Sequence, residues 1–166
     1  NISRRLSKIL TAARELNPSF LKLHGAKVET KLDFNINWGL GSSSTLISNI
    51  AKWADVNPFS LLQKTLGGSG YDIACARSNG PILYSLEKSI PKIRKCKFNP
   101  SFKESLFFVY LNQKQDAMKE LKKFLKREVP IIFFKEISLI SKEIVNTNRL
   151  EDFEKLINEH EKILEK

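Results

Sequence analysis

The sequence is short of several things that would fix its class at once. It has two cysteines, Cys75 and Cys96, in 166 residues. That is too few for a disulfide framework, and they lack metal-ligand spacing, so a reducing, cytoplasmic setting is expected. No apolar run approaches the roughly 20 residues of a membrane-spanning helix, which predicts a soluble protein. The amino end lacks the basic, apolar, small-residue succession of a secretion signal. There is no internal repeat, no low-complexity linker and no Gly-Lys-Ser/Thr ending of a Walker loop. His24 and His160 have no partner at metal-binding or triad spacing and read as structural or surface residues. The chain also opens on Asn1 rather than Met, as a processed or partial chain would.

What is abundant is positive charge, 28 Lys+Arg against 18 Asp+Glu. Such an excess permits nucleic acid, anionic lipid or phosphorylated metabolites as partners without choosing among them. Hydrophobic residues at 42 % and charged residues at 28 % are an ordinary globular balance and argue against wholesale disorder.

Hydrophobic periodicity divides the chain. Ile2, Leu6, Ile9, Ala13 and Leu16 form one helical stripe, ended by Asn17-Pro18. Leu32, Phe34, Ile36 and Trp38 alternate with polar residues and predict a half-buried strand. After Gly39-Leu40-Gly41 the period becomes helical, with Leu46, Ile50, Trp53 and Ala54 on one face up to Asn57-Pro58. A second helix is expected over about 58–66, then the turn Gly67-Gly68-Ser69-Gly70. Pro81 to Tyr84 reads as a strand, 92–98 as a basic edge strand, and Leu106–Leu111 as a strand buried on both faces. Helices are expected over about 116–127, 131–146 and 150–165, the last two as a hairpin joined near Asn146–Asn148. In that hairpin Ile137, Ile140 and Ile144 should face Phe153, Leu156, Ile157 and Leu164. Cys75 and the Phe residues at 107, 108, 133 and 134 are expected in the core. Strands and helices are partly segregated, which makes the class α+β rather than doubly wound.

The passage from 32 to 54 carries the most chemistry. Gly39 and Gly41 permit positive φ and close approach of a ligand. Ser42, Ser43 and Ser44 fall at a helix start, where free N–H groups and the positive dipole end favour an anion. A phosphate held by the amides, with a serine hydroxyl reaching magnesium, is one reading; a serine-capped helix after a flexible turn is the other. The second phrase is Ser69-Gly70-Tyr71-Asp72, with Asp72 lying 29 positions after Ser43. Alone, an Asp beside a glycine turn reads as a turn-former or helix cap.

Taken together, GLGSSS and GSGYDIA, separated by an amphipathic helix and a second helical stretch, resemble the GHMP kinases, the superfamily of galactokinase, homoserine, mevalonate and phosphomevalonate kinases. The second phrase looks most like the phosphomevalonate branch, and the closing NEHEKIL resembles the helical pair of mevalonate-kinase-like members. The resemblance implies a ribosomal-S5-like portion at 1–90 and a helix-rich, ferredoxin-like portion at 91–166, both incomplete. It implies ATP-dependent phosphorylation of a mevalonate- or phosphomevalonate-like metabolite with Mg2+. Gly39, Leu40, Gly41, Ser42, Ser43 and Ser44 would form the phosphate loop, with Ser43 near magnesium. Asp72 would lie by the transferred phosphoryl group, as a base toward an alcohol or as the residue orienting a lysine. Gly70 and Lys114 would contribute to the acceptor site.

The sequence departs from the family at three places. Leu61 stands where mevalonate kinases carry a magnesium-binding glutamate, and Ser44 where a small alanine is frequent. The first and third family motifs are not in the chain, so it reads as the middle of a longer kinase and as inactive by itself. Rival readings are a basic nucleic-acid-binding module, for which no reading motif is present, and a degenerate, non-catalytic scaffold of the same fold. The charge excess is local: between Glu87 and Arg127 stand 12 basic and 4 acidic residues. Most of it reads as a solvated face, with members near Lys114 able to meet an anionic substrate.

Overall fold

The computed structural model describes residues 2–112 and 130–165. Helix α1 (Ile2–Leu16) buries Ile9 and Ala13 of its expected stripe, with Ala12 beside them, and leaves Ile2 exposed. The helix stops at Asn17, whose N–H still reaches the Ala13 carbonyl at 2.8 Å. The Asn17 side-chain amide donates to the Ala54 carbonyl at 2.7 Å, and Pro18 prevents any continuation. Helix α2 (Ser42–Trp53) buries Ile47, Ser48, Ile50 and Ala51. Helix α3 (Pro58–Thr65) has a full start signal: Asn57 Oδ1 accepts from the N–H groups of Phe59 and Ser60 at 2.9 and 3.1 Å. Pro58 sits at the first position, where its missing N–H costs nothing. A short helix α4 (Tyr71–Ala76) follows.

Helix α1 packs on α2 and α3, and α2 packs on α3 and α4. Between them lies a core in which Ile9, Ile47, Leu61 and Ile73 are fully enclosed. Enclosing an aliphatic side chain of that size contributes about 1.5–3 kcal/mol before entropy is counted. Phe20 meets Trp53 edge-on, with ring centroids 4.8 Å apart. Lys8 Nζ donates to the Thr65 carbonyl at 2.6 Å and Lys64 pairs with Glu15 at 2.9 Å, both tying α1 to α3.

Strands β1 (Ile82–Glu87) and β2 (Ile90–Lys95) form a two-stranded antiparallel hairpin. Its turn places both Lys88 and Ser89 at positive φ, 50° and 65°. That matches the right-handed strand twist, as two-residue hairpin turns do. Helices α5 (Ile131–Asn146) and α6 (Leu150–Glu165) pack as the expected hairpin. Ile140 and Leu156 are its buried members, whereas Ile157 and Leu164 remain exposed. Phe153 on α6 packs against Phe102 at 5.1 Å, and Ser101 bonds Asn148 through its N–H and its hydroxyl, each at 2.8 Å.

The chain thus divides into two compact units: most of the chain up to Asn79 with Tyr84–Ile93, and Gly80–Leu83 with Arg94–Leu111, α5 and α6. The class is a mostly helical α+β, with six helices and one hairpin among the described residues. No helix among them is long and apolar enough to cross a membrane.

Four expectations are corrected. The segment 32–38 is not a strand: Ile36–Trp38 is a 3-10 turn, and Trp38 is 50 % exposed. Asn35 explains the switch, because its side chain accepts from the Asn37 N–H at 2.9 Å and offers the backbone a local turn in place of a ladder. Leu106–Leu111 is neither paired nor buried, with Phe107 82 % and Phe108 100 % exposed; a strand needs a neighbour, and the described residues supply none. Phe134 is also exposed and Phe133 half-buried, so the expected aromatic core is not formed by these four rings. Cys75 is exposed, because α4 turns Ile73 and Ala74 inward and carries the next position outward. The helix expected over about 116–127 lies outside the described residues.

Candidate functional site

Gly39 closes the 3-10 turn at φ 75° and Gly41 precedes α2 at φ 76°, both left-handed. A Cβ built on either would meet nothing within 4 Å, so glycine serves conformation here and leaves open space beside the backbone. Leu40 between them is exposed. Ser42, Ser43 and Ser44 form the first turn of α2, and Gly41 at the N-cap has no side chain to cap it. The first N–H to bond back is that of Thr45, to the Gly41 carbonyl at 3.0 Å. The three preceding donors and the positive end of the helix dipole therefore point outward together. Ser43 is exposed, while Ser42 and Ser44 are half-buried. Among the described residues their hydroxyls have no hydrogen-bond partner, unlike Thr45, whose hydroxyl turns back to the Gly41 carbonyl at 3.1 Å.

The second segment is held differently. Gly67, Gly68 and Gly70 all have positive φ, at 69°, 102° and 85°. Gln63 Nε2 donates to the Gly68 carbonyl at 2.9 Å, and the Tyr84 hydroxyl donates to the Ser69 carbonyl. Gly70 starts α4 and is buried; a Cβ there would sit 2.9 Å from Cδ1 of Phe59. Asp72 follows in the first turn of α4, exposed, where a carboxylate is favoured by the helix dipole. The neighbouring Tyr71 phenol is pushed above its ordinary value of 10.0, first by burial, then by the charge of Asp72 and a hydrogen bond to it, with Cys75 adding a smaller push. The Asp72 carboxylate is open to solvent.

Because α2 packs on α4, the glycine-serine loop and the Asp72 turn are carried on adjacent helices of one unit. Lys114 lies outside the described residues. Leu61, at the position where mevalonate kinases carry a glutamate, is fully buried under α3 and presents no ligand. No group of three or more His, Cys, Asp or Glu that could hold a metal occurs among the described residues. The hydroxyls at 42–44 and the carboxylate of Asp72 are oxygen groups that the first turns of α2 and α4 carry. Sequence reasoning missed Phe59, Gln63 and Tyr84, which shape the second turn. Phe59 and Gln63 carry no motif, and the only trace of Tyr84 is its place in a strand. No protein-family model, curated protein or solved structure matches the chain.

Proposed function

We propose that this chain carries the phosphate-binding part of an ATP-dependent small-metabolite kinase of the GHMP type, acting on a mevalonate- or phosphomevalonate-like acceptor. In this reading 1–90 belong to an S5-like domain and 91–166 to a ferredoxin-like one. The supporting observation is the pair of glycine-led helix starts on packed helices, one offering uncapped amides and serine hydroxyls and the other a carboxylate. The N–H groups of Ser42, Ser43 and Ser44 bind the nucleotide phosphates, which the open space at Gly39 and Gly41 admits to the backbone. Ser43, the exposed hydroxyl, is the residue to hold Mg2+, and Leu61 leaves the rest of that shell to phosphate oxygens and water. When bound, Mg2+ neutralises charge on the transferring phosphoryl group. Gly70 and Lys114 contribute to the acceptor side.

The role of Asp72 follows from the acceptor. An alcohol needs its proton removed, and the solvent-open carboxylate can accept it. A phosphate monoester, with a second pKa near ~6, is already ionised at pH 7, and Asp72 then orients a cation. The test is thermal: Mg-ATP should raise the unfolding midpoint of the intact protein, and Ser43→Ala should remove most of that rise. A midpoint indifferent to Mg-ATP would contradict the reading.

A second reading draws on exposed Phe107 and Phe108, which follow the exposed cations Arg94, Lys95, Lys97 and Lys103 within the same stretch of chain. Stacking rings beside a basic stretch suit single-stranded nucleic acid. RNA binding that falls steeply with salt, without any response to nucleotide, would favour it.

A further inference from the structure

We propose that Tyr84 is the positioning residue for Asp72, acting through the glycine turn at 67–70; this rests on the kinase reading above. The Tyr84 hydroxyl donates to the carbonyl of Ser69, 15 residues earlier in the chain. That carbonyl belongs to the peptide leading into Gly70, whose left-handed φ of 85° starts α4. This peptide leads into the helix that carries Asp72 two residues on, a helix also held by the enclosed Ile73 and by the Ala74 N–H bond to the Gly70 carbonyl at 3.1 Å.

Among the described residues the other side-chain anchors of the turn come from α3. Gly67 and Gly68 are both left-handed, and a Cβ on either would meet nothing within 4 Å, so packing does not hold them. The Gly67 N–H reaches the Leu62 carbonyl at 2.8 Å and Gln63 reaches the Gly68 carbonyl at 2.9 Å, but both anchors come from α3, at the start of the turn. Phe59 walls Gly70 from the same helix. Tyr84 is the anchor from a different element, β1, and it acts at the end of the turn nearest Asp72. Half-buried, its phenol is pushed above the ordinary value of 10.0 by burial, so it remains a donor at neutral pH. Glycines permit a conformation but do not choose it; a side chain that grips the backbone supplies the choice, and small displacements of a reacting group cost rate steeply.

The test is Tyr84→Phe in the intact protein, which deletes the hydroxyl and keeps the ring. Three readouts are needed: steady-state phosphoryl transfer, hydrogen exchange of the amides at 70–74, and the unfolding midpoint. The expected result is a kcat lower by on the order of 10-fold, a KM for ATP changed less than about 2-fold, and faster exchange at 70–74. Tyr84→Gln, which restores a donor of shorter reach, should recover part of kcat. Unchanged kcat in Tyr84→Phe overturns the proposal, and so does a kcat loss with unchanged exchange at 70–74. A kcat loss matched by global unfolding, with no recovery in Tyr84→Gln, makes Tyr84 merely structural and also overturns it. If the wild-type protein transfers no phosphoryl group to any acceptor, the kinase reading fails, and with it the positioning role. The exchange readout then still separates a turn held by Tyr84 from one that is not.

Discussion

Ser48 illustrates how much a single buried atom decides. It lies on α2 among Ile47, Ile50 and Ala51, and its enclosed hydroxyl has no hydrogen-bond partner among the described residues. An orphaned buried hydroxyl costs about 1–3 kcal/mol, whereas the methyl of alanine costs nothing of that kind. Ser48→Ala should therefore raise the midpoint of chemical unfolding, by an amount equivalent to about 1 kcal/mol; a lower midpoint would mean that the hydroxyl has a partner. The tyrosines offer a second residue-level test. Tyr71 and Tyr84 both hold their protons above the ordinary value of 10.0, Tyr71 by burial and Asp72, Tyr84 by burial alone. Raised folded-state values mean that their contribution to stability is full below about pH 10 and is lost as pH rises through the folded values. Replacing both by Phe should flatten the alkaline fall of the unfolding midpoint; an equally steep fall in the variant would contradict this.

At the scale of elements, the two glycine-led helix starts differ in what surrounds them. Gly41 and Gly70 share a left-handed φ, but only Gly70 is pressed against a neighbour, the Phe59 ring 2.9 Å from where a Cβ would lie. Alanine at Gly41 meets only the conformational cost, about 1–2 kcal/mol. Alanine at Gly70 meets that cost and a clash with a residue that packs on the core. Gly70→Ala should thus lower the unfolding midpoint clearly more than Gly41→Ala, and equal losses would contradict the packing described. The same pair shows what the sequence made legible. Local signals placed α1, α2 and α3 because each has an apolar period with Asn-Pro or glycine at an end, and α5 and α6 because two apolar periods flank the polar turn at Asn146–Asn148. The short α4 was not anticipated, since six residues carry too little periodicity to separate a helix from a loop. The alternation at 32–38 misled for a different reason. A period of two says which residues could share a face, but a strand exists only in a ladder, and the Asn35 side chain supplies a local bond that closes a 3-10 turn.

For the whole molecule, composition foretold a core and the core is there, centred on Ile9, Ile47, Leu61 and Ile73. Composition could not foretell that Leu106–Leu111 would stay exposed, because burial of an apolar run depends on what stands opposite it. Nor could it foretell that Cys75 would face solvent. The candidate site was legible as two phrases, GLGSSS and GSGYDIA, and the fold adds that they head helices packed on each other. What the phrases did not reveal is how the second turn is held, since Phe59, Gln63 and Tyr84 reach it through tertiary contacts. The central claim is that these two helix starts form the phosphate side of a kinase site. It is tested most directly by acceptor-dependent ADP release from the intact protein with Mg-ATP, over mevalonate, phosphomevalonate and homoserine, in the wild type and in Asp72→Asn. The account predicts release with one of these acceptors and a loss of at least about 100-fold in kcat on Asp72→Asn. No acceptor-dependent release, or near-normal turnover in Asp72→Asn, would contradict it.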